Sequence, residues 1–134
     1  MPSLRLLALP AIGLVLAACS RSDSDTQDQQ TRMAAAWTST AVLMLDGWLS
    51  GAVPSYYARR TAQTVSKQLS DLTADHQQSE PDAAVRQRQT QQATETLRRA
   101  ERGIEASDRA AVQDSRNALA VAASNFHQPA RHSQ

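Results

Sequence analysis

Apolar residues in this chain form one unbroken run and then four periodic stretches. Leu6 to Ala18 is free of charge, and beyond it the apolar positions recur three and four residues apart, the pattern of helices with one buried face. Trp37, Ala41, Met44 and Trp48 step by four, three and four, with Ala34, Val42, Leu45 and Leu49 widening that face. They predict a first helix from about Thr31 to Ser50, with Leu43 on its wetter side. Ala58, Ala62, Val65, Leu69 and Leu72 predict a second helix from about Pro54 to His76. A third, from about Ser79 to Ala106, has its seam at Ala93, Leu97, Ala100 and Ile104, while its first half, 86–92, is built only of Arg, Gln and Thr. That half cannot be fully buried, and projection past the bundle is the simplest expectation for it. A fourth helix, capped by Ser107 or Asp108 and running to about His127, carries Val112, Ser115, Leu119, Ala122 and Phe126 on its inner line.

Glycine and proline fall at the boundaries of these stretches. Gly51 suits the residue past a helix end and Pro54 the opening turn of the next, Pro81 sits in the first turn of the third helix, and Pro129 closes the fourth. No segment alternates apolar and polar residues with the β-branched content of a strand. The fold class is therefore all-α, an antiparallel four-helix bundle over 31–128 followed by a disordered tail at 129–134. Its main rival merges the third and fourth helices past Gly103.

The leading run, 1–18, reads as a signal peptide, since its apolar part is shorter than the roughly 20 residues that span a bilayer. It ends in Leu16, Ala17, Ala18 and Cys19, and this order resembles the lipobox of bacterial lipoproteins. The resemblance implies cleavage before Cys19, a diacylglycerol on its sulfur and an acylated new N-terminus, which together anchor a protein durably because stable attachment takes more than one chain. It also implies sorting by the next residue. Here that is Ser20, not the aspartate associated with retention in the inner membrane, so the expected location is the periplasmic face of the outer membrane. An ordinary secretory signal that leaves Cys19 as a free thiol is the alternative. Residues 19–30, Ser-, Asp- and Gln-rich, are expected as a flexible tether holding the domain roughly 20 Å from the membrane.

Charge and chemistry narrow the function. The leader holds one of the 14 basic residues, Arg5, and none of the 13 acidic ones, so the remainder is electrically balanced. Neither nucleic acid nor a strongly acidic partner is implied by net charge. Arg98, Arg99 and Arg102 are interleaved with Glu95, Glu101 and Glu105 at helical spacing, which predicts local ion pairs. There is no Gly-x-Ser-x-Gly elbow, no phosphate-cradling glycine loop and no Glu-x-x-His pair for a carboxylate-bridged metal centre. No enzyme activity and no cofactor beyond the lipid on Cys19 are expected. Trp37, Trp48, Tyr56 and Tyr57 gather around one helical hairpin, either as an aromatic surface or pocket or, more simply, as bulky rings capping a core of small side chains. Met33 and His127 would meet at one end of an up-down bundle. With Asn125-Phe126-His127-Gln128 they look a little like the periplasmic b-type cytochromes that hold haem between Met and His. His127 with His132 would make a weak metal pair.

Two functions follow. One is a non-enzymatic, membrane-anchored accessory that docks on an envelope protein, similar in size and layout to small lipoproteins that pilot secretion-pore subunits. The other is a ligand or haem carrier using the bundle interior. Oligomeric state is not legible.

Overall fold

A computed structural model describes the backbone of residues 11–74 and 81–128 and the side chains of 28–73 and 83–128. It contains four helices, α1 (Ala11–Leu49), α2 (Ser55–Ala74), α3 (Pro81–Glu105) and α4 (Arg109–His127), and no strand among the described residues. The chain divides into two compact units, Met1–Gln30 and Thr31–Gln134, and the bundle is the second.

In the first unit the backbone of 19–30, where the sequence pattern leads one to expect a tether, is helical and continuous with α1. No glycine or proline interrupts the chain between Gly13 and Gly47. Prolonging an existing helix adds a hydrogen bond for each residue fixed, whereas starting one does not, so a segment of indifferent composition follows the helix it is joined to. The side chains of Leu16, Ala17, Ala18 and Cys19, the first residues of the leader, the boundary expected near His76 to Glu80 and the residues 129–134 expected as a tail lie outside the described residues.

Within the second unit α1 and α3 end in the same way. Gly51 stands at φ +81°, Gly51 N–H donates to Trp48 C=O at 3.0 Å, and Ala52 N–H reaches back to Gly47 C=O at 2.8 Å. Ser107 stands at φ +54°, Ser107 N–H donates to Ile104 C=O at 3.1 Å, and Asp108 N–H reaches Gly103 C=O at 2.8 Å. These are Schellman closures, which satisfy helix-end carbonyls through one left-handed residue. They also reject the merged third and fourth helix: the chain turns at 106–108, and Asp108 Oδ1 accepts from Ala111 N–H to cap α4. In both closures the residue accepting the bond that spans five residues is a glycine with a valine against it, Val53 at Gly47 and Val112 at Gly103.

Neighbouring helices run antiparallel. Gln63 pairs with Glu101 and Arg59 with Glu105, so numbers fall along α3 as they rise along α2. Likewise Asp46 pairs with Arg116 and Leu49 with Arg109 across α1 and α4. The short links 50–54 and 106–108 therefore share one end, and Thr31 and His127 share the other.

The centre is filled by Leu45, Val65, Leu69, Leu97, Ile104, Val112 and Leu119, each closed to solvent. Each full burial of a leucine contributes about 1.5–3 kcal/mol. The seam expected on α2 is buried throughout, and so is that of α3. On α4 the inner line shifts by one residue: Ala123 is buried and Ala122 only half-buried. Ala83 and Thr90 are buried as well, so the first half of α3 lies along the bundle and does not project beyond it. Thr38, Thr90, Thr94 and Ser115 are interior hydroxyls, and each donates to the carbonyl four residues back at 2.7–2.9 Å. Satisfied in this way, they pack as volume.

Candidate functional site

The chemistry exposed by the bundle is concentrated on α3, and α2 determines it. Glu101 accepts a hydrogen bond from Gln63 at 2.6 Å, and Glu105 faces the Arg59 guanidinium at 3.8 Å. Two of the three carboxylates expected to neutralise the α3 arginines thus turn toward the neighbouring helix. Arg88, Arg98, Arg99 and Arg102 are all exposed, and none has an ion pair among the described residues. This corrects the expected local pairing.

Spacings of seven, four and three place Arg88, Glu95, Arg99 and Arg102 on one outer face of α3. Beside them runs an open groove of about 940 Å³, bordered by α2 and α4. Its lining holds three arginines, Arg88, Arg98 and Arg99, against a single carboxylate, Glu95, and no aromatic ring. Along α4 the lining is small or apolar, with Ala118, Val121 and Ala122 ending at Asn125. Val121 is 61% exposed, a poor position for a valine in an isolated domain. Such a surface suits recognition: guanidinium forks bind carboxylates with two parallel hydrogen bonds, and the alanines admit a close apolar neighbour.

The four aromatic residues expected around one hairpin differ in exposure. Trp48 is buried and Trp37 half-buried, but Tyr56 and Tyr57 are 67% and 63% exposed, edge to face with each other at 5.6 Å and 80°. The tyrosines stand on the outside of α2. The first turn of α2 points them outward, because the inward register there is taken by Ala58. Trp48 is held by its own contacts: its Nε1–H donates to Ser55 Oγ at 2.9 Å, and the Arg109 guanidinium lies 5.8 Å from its ring centroid. Arg109 also donates to the Leu49 carbonyl at the C-terminal end of α1, where the helix dipole favours a cation.

Met33 and His127 are both exposed at the end of the bundle where α1 enters and α4 leaves. His132 lies outside the described residues. No group of three or more His, Cys, Asp or Glu side chains suited to a metal occurs among the described residues. No helix there is long and apolar enough to cross a membrane. The clearest electrostatic perturbation is structural. The hydrogen bond from Arg116 holds the Asp46 carboxyl below the usual carboxylate range, against an opposing push from burial, and the same bond raises Arg116.

Sequence reasoning located the polar half of α3 but missed the freed arginines, since a single helix read alone does not reveal Gln63 and Arg59 on α2. No family model, curated protein or solved structure matches the chain.

Proposed function

We propose that this protein is a bacterial envelope lipoprotein, anchored through Cys19 and acting as a non-enzymatic accessory that binds another envelope protein with its helical domain. The observation that carries the binding role is the presence of Arg88, Arg98 and Arg99, without an ion pair among the described residues, in the lining of an open groove. The order Leu16, Ala17, Ala18, Cys19 behind a short apolar leader supports the anchor. With Ser20 following, the outer membrane is the destination.

The carrier alternative is less well supported. The middle of the bundle is occupied by Leu45, Leu69, Leu97 and Leu119, so an interior ligand would have to displace packed side chains. The anchor is tested by expressing the chain and its Cys19→Ser variant with labelled palmitate. The expected result is label and membrane fractionation for the parent and neither for the variant. Label on the variant, or a parent that stays soluble and unlabelled, overturns the anchor.

A further inference from the structure

We infer that the groove along α3 and α4 binds an acidic, amphipathic segment of a partner protein, with its carboxylates on Arg88 and Arg99 and its apolar side chains on Ala118, Val121 and Ala122. This inference rests on the accessory reading above and names the chemistry of the partner.

Charge comes first. A groove with three arginines and one carboxylate is locally basic although the chain beyond the leader is balanced overall, so its attraction is for a local anion. Geometry comes second. Arg88 and Arg99 lie eleven residues apart on one helix, roughly 16 Å along its axis, a separation that carboxylates three turns apart on a facing helix would match. The other wall is third. Ala118 and Val121 are exposed, and Ala122 is half-exposed, along the α4 side. An occupant that is only polar leaves them uncovered, whereas an amphipathic helix laid in the groove covers them and pairs the arginines at once.

Two other anionic occupants fit less well. Sugar polymers are commonly held by stacking on aromatic faces, and the groove lining has none. A flat bilayer surface would meet the arginines and the exposed Val121 but would not enter the groove to cover half-buried Ala122.

The test uses the full chain purified in detergent and a fluorescent peptide of about 18 residues, roughly 27 Å as a helix, with Glu on one face and Leu and Ala on the other. Saturable binding is expected, weakening as salt rises from about 0.1 M to about 1 M, where the screening length falls from about 10 Å to about 3 Å. Arg88→Glu with Arg99→Glu should weaken it by about tenfold or more. Val121→Glu, at an exposed position, should weaken it similarly without touching an arginine. Helix content by circular dichroism should match the parent in both variants. The backbone amides of Ala118, Val121 and Ala122 should shift in NMR spectra on peptide addition.

Several outcomes overturn the inference: no saturation, equal binding by the charge-reversed protein, equal binding of a peptide with Lys in place of Glu, or shifts confined to other helices. So does binding to phosphatidylglycerol vesicles through Arg88 and Arg99 when the peptide does not bind. Peptide binding by the Cys19→Ser chain keeps the two readings apart. Loss of acylation with binding intact removes the anchor alone, and loss of binding with acylation intact removes this inference alone.

Discussion

Asp46 and Arg116, 70 residues apart in sequence, are joined by two parallel hydrogen bonds, Nε to Oδ1 at 2.7 Å and Nη2 to Oδ2 at 3.1 Å. This is the fork geometry that orients as well as attracts, and it ties the first helix of the bundle to the last.

The pair makes stability depend on acid. Asp46 titrates below its ordinary range in the folded protein, so its contribution is complete above the unfolded carboxyl value of about 3.9 and is lost as pH falls through the lower folded value. Asp46→Asn should therefore be less stable than the parent at neutral pH and converge on it below about pH 4. Urea midpoints followed by circular dichroism across that range provide the measurement. A constant gap between the two proteins down to the lowest pH would show that the ion pair is not its source.

Ser107 occupies a left-handed position that Gly51 fills at the equivalent turn. A side chain in that conformation costs about 1–2 kcal/mol, partly offset because glycine has more freedom to lose on folding. Ser107→Gly should raise stability by about 0.5–1 kcal/mol. A lower melting temperature for this variant would mean that the serine makes a compensating contact.

Gly103 is the reverse case. A Cβ there would stand 2.8 Å from Val112 Cγ2 and 3.5 Å from the Asp108 carbonyl oxygen. Alanine ordinarily gains close to 1 kcal/mol over glycine in a helix, but a β-branched neighbour at that distance cannot rotate away cheaply. Gly103→Ala should destabilise by about 1–2 kcal/mol, as overpacking does. In a Val112→Ala background the same substitution should become neutral or favourable, and a double-mutant cycle measures the coupling.

Trp48 is 8% exposed, with its indole N–H on Ser55 and Arg109 over its ring. Trp48→Phe keeps the ring but removes the donor and weakens the cation contact, for a cost of about 1–2 kcal/mol. With Trp37→Phe, the remaining emission should come from Trp48, lie to the blue and resist iodide quenching. With Trp48→Phe it should come from half-buried Trp37 and quench readily. Equal quenching would contradict the difference in burial.

Much of the bundle was legible because its seams are periodic and almost purely aliphatic. Val65, Leu69 and Leu72 on α2 need no partner to be recognised as an inner line. Thr38, Thr90 and Thr94 were not legible, because a threonine reads as polar until its hydroxyl is seen turned onto its own helix. The packing of Val53 on Gly47 and the pull of Glu101 toward Gln63 were hidden for a different reason. Both depend on what lies across a helix boundary, which a one-dimensional pattern does not contain. The exposure of the tyrosines was not legible either, because proximity in sequence to Trp48 says nothing of the direction in which the first turn of α2 points them.

Four helices are an even number, so the bundle returns the chain to the end at which it began. Anything fused at Thr31 or beyond His127 leaves from the same pole, and Gly51 and Ser107 mark the opposite one, about 28 Å away along a helix the length of α4. The domain is therefore suited to being re-cut. A version with its present ends linked and new ends opened at 51–53 should keep the bundle while reversing the pole from which it is held.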